Sequence, residues 1–269
     1  MPDLHAAVDA VQGWPVDHAA AAVVDRTGTV LATSGDQDRE FRLASVTKLL
    51  TAYATLIAVE EGAVEWDHPA GPATVRHLAA HTSGLSFSDG LVQAAPGARR
   101  IYSNSGFEVL GETIADAAGM PFAQYLHLAV CEPLGMTSTR LKGSPAADGV
   151  STTADLARFA AELQAPRLTH TLAEATTVAF PGVDGILPGY GRQKPNDWGL
   201  GFEIRDGKSP HWTGAQSSPR TFGHFGQAGT FLWVDPDAAV AAVVLTDRDF
   251  ADWAVQSWPP FTDGVLAAL

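Results

Sequence analysis

The apolar positions fall into three zones of different period. Near the start, residues 19–24 (Ala-Ala-Ala-Ala-Val-Val) form an unbroken apolar run, and residues 29–33 form a second short one. Runs of this length, bounded by turn residues, read as strands buried on both faces. The intervening Asp25-Arg26-Thr27-Gly28 carries a hairpin signature. A short helix is predicted over residues 3–11, stopped by Gly13 and Pro15, and a third strand over 40–43.

From residue 45 to about 173 the period becomes helical. Val46, Leu49, Leu50, Tyr53, Leu56, Ile57 and Val59 mark a helix apolar around most of its circumference, ended by Gly62. Further helices are predicted over 74–80, 105–118 (closed by Gly119) and 122–130. The run Ser151-Thr152-Thr153-Ala154-Asp155 reads as the cap of another, with Leu156, Phe159, Ala160 and Leu163 on its apolar face. Strand-like runs then return at 199–204, 220–224, 230–234 and 240–246. The last segment, 253–269, predicts a helix interrupted at Pro259-Pro260. Strands at both ends imply an α+β fold. One antiparallel sheet would be built by residues 1–43 and 178–269, and a mainly helical region, 44–177, would pack against it.

Composition narrows the function classes. The 269 residues are enough for one large domain or two intertwined ones, and none of the apolar runs nears the roughly 20 residues a membrane helix needs. A net charge of −13 repels phosphate backbones, so neither nucleic acid nor membrane is an expected partner. No Lys or Arg precedes Arg26, so the start does not read as a secretory leader. A cytoplasmic location is expected, with a secreted form trimmed of its leader as the alternative. The single cysteine, Cys131, cannot form an internal disulfide and reads as a buried filler at a helix end. His77 and His81 stand four apart, but Leu78 occupies the position where a zinc protease helix carries Glu, so no metal is expected.

Three constellations carry chemistry. In Ser45-Val46-Thr47-Lys48 a helix would set the amine beside the hydroxyl, and a lysine in apolar surroundings can act as base to serine. Of the four lysines only Lys48 has a Ser three residues before it. The alternative is a polar stripe of Thr47, Lys48, Thr51 and Thr55. Tyr102-Ser103-Asn104 could offer a phenol and an amide to one cavity; alternatively Tyr102 packs at an edge and Asn104 caps the next helix. Gly223-His224-Phe225-Gly226 enters a strand, where glycine permits close approach to a ligand, or is simply a Gly-rich hairpin.

In order, the three resemble the S-x-x-K, Y-x-N and K-T-G series of the serine β-lactamase and penicillin-binding-protein superfamily. The Y-x-N form is similar to class C enzymes and their esterase and aminopeptidase relatives. Further landmarks support the resemblance, including Leu78-Ala79-Ala80-His81-Thr82-Ser83-Gly84-Leu85, Pro96-Gly97, Leu110-Gly111, Glu132-Pro133-Leu134-Gly135-Met136, and residues 229–236. The resemblance implies that Ser45 forms an acyl-enzyme while Lys48 and Tyr102 move its proton, with either as base. It also implies that Asn104 binds substrate or Lys48, and that the N–H groups of Ser45 and Gln227, beside Gly226, form an oxyanion hole. No metal or organic cofactor is implied, and His81 is a structural landmark. His224 stands where the K-T-G lysine would be. An imidazole of ordinary pKa, about 6.5, is mostly neutral at pH 7; anionic substrates should then improve as pH falls toward that value. The expected activity is hydrolysis of a small carboxylic ester. A D-amino-acid peptidase, a weak β-lactamase, or a non-catalytic sensor on the same fold are the alternatives.

Overall fold

The computed structural model describes residues 3–269. Helix α1 (Leu4–Asp9) leads to strands β1 (Ala19–Asp25) and β2 (Val30–Ser34). The expected hairpin forms because Asp25 Oδ1 accepts the N–H groups of Thr27 and Thr29 at 2.8 and 3.0 Å. After β3 (Phe41–Arg42), a 3₁₀ turn over Ala44–Val46 runs into α2 (Thr47–Glu60). A small hairpin, β4 (Pro69–Ala70) and β5 (Ala73–Thr74), is followed by α3 (Val75–Ala79), α4 (Asn104–Ala118) and α5 (Phe122–Leu126). Next come β6 (Arg140–Leu141), β7 (Gly149–Ser151), α6 (Thr153–Gln164) and α7 (Leu172–Ala175). A second hairpin, β8 (Gly185–Leu187) and β9 (Gly191–Gln193), precedes β10 (Glu203–Ile204), β11 (Phe222–Gly226), β12 (Thr230–Asp235), β13 (Val240–Thr246) and α8 (Asp252–Ala267).

The main sheet is antiparallel, in the order β10-β11-β12-β13-β1-β2, so β1 of the N-terminal segment pairs with β13 of the C-terminal one. Alternation sorts its side chains into two layers. Leu232, Val234, Ala241, Val243 and Leu245 face the core that contains α2 and part of α6. Phe231, Trp233, Val240, Ala242 and Val244 face α1 and α8. Covering both faces is why these strands read as continuous apolar runs. Helix α6, which lies in the segment read as mainly helical, packs Ala157 against Ala22 and Val24 of β1. Among the described residues no helix is long and apolar enough to cross a membrane.

Two expectations fail for physical reasons. Helix α8 is not interrupted: Pro259 and Pro260 lie inside it. Each interior proline costs about 3 kcal/mol. Burying Trp258 and Phe261, with Trp253 and Val265 beside them, returns about 1.5–3 kcal/mol per side chain, so tertiary packing outweighs the local penalty. Of the strand expected over 199–204, only Glu203 and Ile204 pair with β11. Gly201, at φ +92°, instead lies so close to α2 that a Cβ there would approach Ala52 Cβ to 2.2 Å.

Phe231 contacts Trp258 and Phe261 at ring separations of 5.1 and 5.9 Å. Replacing it with Ala is expected to lower unfolding free energy by about 3–5 kcal/mol, measured by urea denaturation. A loss below 1 kcal/mol would mean this aromatic layer does not hold α8 to the sheet.

Candidate active site

Ser45 sits where the 3₁₀ turn meets α2. Its predecessor Ala44 has φ +45°, a left-handed conformation that costs a non-glycine residue about 1–2 kcal/mol. Such strain persists only where neighbours fix it. Here Thr230 Oγ1 donates to Leu43 O at 2.8 Å, and β11 presses on the turn. A Cβ added to Gly226 would lie 2.4 Å from Leu43 O and 3.1 Å from Ser45 N, so only glycine lets the strand come this close. As Ser45 is in a first helical turn, its N–H has no intrahelical acceptor. Alternation along β11 puts His224 and Gly226 on the face toward α2, while Phe225 joins the aromatic layer. Gln227 follows directly and is exposed.

Two of the sequence constellations meet at the Ser45 hydroxyl, and the third, in β11, lies against the Ser45 backbone and the Tyr102 ring. Tyr102 Oη donates to Ser45 Oγ at 2.7 Å, and Lys48 Nζ lies 3.3 Å from the same atom. Lys48 also donates to Asn104 Oδ1 at 2.6 Å and to Ala146 O at 2.9 Å. Thr47, Lys48, Thr51 and Thr55 are all buried, which disposes of the polar-stripe alternative. Asn104 does not cap α4. It is the first helical residue, and Ser103 is the cap, accepting Gly106 N–H at 2.9 Å.

Burial sets the protonation states. Lys48 is 0% exposed and forms no ion pair among the described residues; desolvation drives its amine well below the ordinary lysine range, against a weaker upward pull from the Glu108 carboxylate. The rings of Tyr102 and Phe107, 4.7 and 5.5 Å from Nζ, would favour the ammonium by about 0.5–2 kcal/mol, less than the several kcal/mol an unpaired buried ion costs. The same burial pushes the Tyr102 phenol upward, so it keeps its proton.

His224 departs from the sequence expectation. Burial, reinforced by nearby Lys48, lowers its pKa to about 3 rather than leaving it near the ordinary value. Its Nδ1 lies 2.6 Å from Phe225 O, so Nδ1 carries the proton and Nε2 is a buried acceptor without a protein partner. Acidification to pH 5 therefore leaves it neutral, and the expected gain of anionic substrates on acidification does not follow.

A family model described as Beta-lactamase matches residues 6–263. The chain belongs to the beta-lactamase family. A beta-lactamase from Mycobacterium bovis is similar in structure and sequence, at 58% identity and TM-score 0.95 over 97% of this chain and 98% of that one. EstCE1, a hydrolase with promiscuous acyltransferase activity, has the same fold at 18% identity and TM-score 0.81, covering 98% of this chain and 97% of that one. The D-alanyl-D-alanine-carboxypeptidase/endopeptidase AmpH of Escherichia coli strain K12 is 28% identical over 147 residues, 40% of this chain. The match spans only 38% of the length of AmpH.

Within this beta-lactamase-family site, two groups escaped the reading of motifs. Ala146 contributes only a carbonyl, which no sequence pattern marks. His81, read as a landmark, clamps the backbone on both sides of Tyr102. Its carbonyl accepts Ile101 N–H at 2.9 Å and its Nδ1 accepts Ser103 N–H at 3.1 Å. Its ring packs 4.7 Å from that of Tyr102, and its own φ is +56°. His81 is thus a positioning residue for the phenol. His81→Ala is expected to lower kcat by about 10- to 100-fold with a smaller change in KM, as misplacement of a reacting group does. His81→Asn should recover part of the loss, because its Oδ1 can accept the Ser103 N–H and Asn tolerates positive φ. Equal activity in wild type and both variants would show that the clamp is dispensable.

Proposed function

We propose that this chain hydrolyses carboxylic esters through an acyl-enzyme on Ser45. The observation that carries the reading is the convergence of a Tyr102 phenol and an uncharged Lys48 amine on the Ser45 hydroxyl, at 2.7 and 3.3 Å. A neutral amine has two N–H donors, matched by Asn104 Oδ1 and Ala146 O, and one lone pair, left for the Ser45 proton. Lys48 is therefore the base in this reading. As Ser45 Oγ attacks the carbonyl carbon, its proton passes to Lys48 Nζ and the carbonyl oxygen becomes an oxyanion. The N–H groups of Ser45 and Gln227 are the donors proposed for it, a role worth several kcal/mol in acyl transfer. On collapse, the leaving oxygen takes the Tyr102 proton, and Lys48 returns one to the phenolate. Water then attacks the acyl carbon, losing its proton through the same pair, and Ser45 regains its hydrogen.

His224 favours esters over β-lactams. A neutral imidazole held near pKa 3 supplies no fixed cation for a carboxylate beside the scissile bond. A lysine there would be a second buried amine beside Lys48, so His224→Lys would itself tend to lose its charge. Amide hydrolysis is the second reading, favoured by the partial likeness to AmpH, whose name assigns it peptidase activity. A purely binding role has no use for an activated serine.

A fluorophosphonate should label Ser45, located by peptide mass spectrometry, and a p-nitrophenyl ester should turn over far better than nitrocefin. An adduct on Ser83 or Ser105, or efficient nitrocefin hydrolysis at pH 8, contradicts the reading. Lys48→Ala and Tyr102→Phe should each cost 10²-fold or more in kcat, and the double variant little more than the worse single one. Fully additive losses would separate the two residues.

The pH profile follows from the active form, in which Lys48 is neutral. Because its pKa is depressed, kcat/KM should rise with pH through that lowered value and level off well before the ordinary lysine range. His224, at about 3, adds no limb between pH 5 and 9. A rise that continues to pH 10 would mean Lys48 is an ordinary, charged lysine.

A further inference from the structure

A cavity of about 990 Å³ has in its wall Tyr102, the residue whose phenol donates to Ser45 Oγ. That volume is at the upper end of small-molecule sites and exceeds what a short acyl group fills. Its lining is apolar near Tyr102. Phe87 stacks on the phenol ring at 6.0 Å, and Ile186 of the hairpin strand β8 also lines the cavity. These two remain 53% and 64% exposed, unusual for large apolar side chains without a ligand or partner over them.

The charges on the wall oppose those of the whole molecule. The chain has 17 basic and 30 acidic residues, yet this wall carries Arg99, Arg100 and Arg192 against one carboxylate, Asp184. Arg100 is structural: it is buried and donates to the carbonyls of Ala80, Ala179, Phe180 and Asn196. Arg192 is paired with Asp184 at 3.1 Å. Arg99 is exposed and has no ion-pair partner among the described residues. A cavity that combines the apolar Phe87, Ile101 and Ile186 with an unpaired guanidinium is complementary to a chain that is hydrocarbon along its length and anionic at its tip.

We propose that this cavity binds the non-reacting chain of the substrate, an extended apolar chain ending in a carboxylate or similar anion, and that Arg99 reads the anion. The inference rests on the ester-hydrolase reading above. It also assigns anion recognition to Arg99 and not to His224, which does not line this cavity.

The test compares the p-nitrophenyl half-ester of suberic acid with p-nitrophenyl octanoate, a neutral ester of equal chain length. A second pair, the acetate ester of 8-hydroxyoctanoate and octyl acetate, presents the chain from the alcohol side. In at least one pair, Arg99→Gln should raise the KM ratio of anionic to neutral ester about fivefold, the size of one partly exposed ion pair. Asp184→Asn, which frees Arg192, should lower the same ratio. Added salt should raise the ratio in wild type and much less in Arg99→Gln. Binding of monomethyl and dimethyl suberate to Ser45→Ala, by calorimetry, gives a readout independent of turnover and should favour the monoanion only while Arg99 is present. Neutral esters turned over with no charge-dependent ratio in either pair would overturn the inference and leave ester hydrolysis standing. No turnover of any ester would remove the hydrolytic reading, and the calorimetric preference would still decide the cavity.

Discussion

An amine that loses its water on folding must either find a carboxylate or give up its proton, and Lys48 has only neutral partners. Asn104 Oδ1, Ala146 O and Ser45 Oγ are the three atoms it touches. Each would accept a hydrogen bond from an ammonium, yet three neutral acceptors do not repay the several kcal/mol of desolvation. The site is therefore organised around an uncharged amine. Tyr102 keeps its phenolic proton and His224 stays neutral, so neither adds a charge beside Ser45. Electrostatic effects on developing charge are strongest in such surroundings.

Holding Lys48 out of contact with solvent is the work of the fold. Helix α2 is buried along nearly its whole length, which fixes Lys48 on a rigid element. The two-faced sheet carries β11 against the Ser45 turn, and Gly226 removes the one atom that would hold them apart. The Tyr102 segment comes from a third direction, held by His81 at the residues before and after the phenol. Three chain segments far apart in sequence thus converge on one residue, two at the Ser45 hydroxyl and β11 at its backbone. The left-handed Ala44 is a local cost that their packing offsets.

Much of this was legible in the sequence because the chemistry is local. Ser45 and Lys48 are three residues apart on one helical surface, and Tyr102 and Asn104 two apart at a helix entrance. Strands β1 and β13 were legible for a different reason, since a strand covered on both faces leaves no polar gap. What stayed hidden depends on contacts distant in sequence. The helix through Pro259-Pro260 is decided by Trp258 and Phe261 against the sheet, and the break at Gly201 by the approach of α2. Local propensity sees neither. His224 was read as neutral, in agreement with the structure, but its pKa was placed too high, because a motif gives a residue's identity while its pKa belongs to its surroundings. The role of Ala146 could not be read at all, because a backbone carbonyl has no sequence signature.

The proton on Lys48 decides the chemistry of the site, and the chain is suited to measuring it because it has only four lysines, Lys48, Lys142, Lys194 and Lys208. In protein labelled with ¹³C at lysine Cε, the Lys48 resonance can be assigned by loss in Lys48→Met and followed with pH. It is expected to titrate well below the ordinary lysine value of about 10.4 and to be uncharged over the range where the enzyme is active. A Lys48 resonance that titrates at that ordinary value would contradict a neutral Lys48, and the base in acyl transfer would then have to be sought elsewhere.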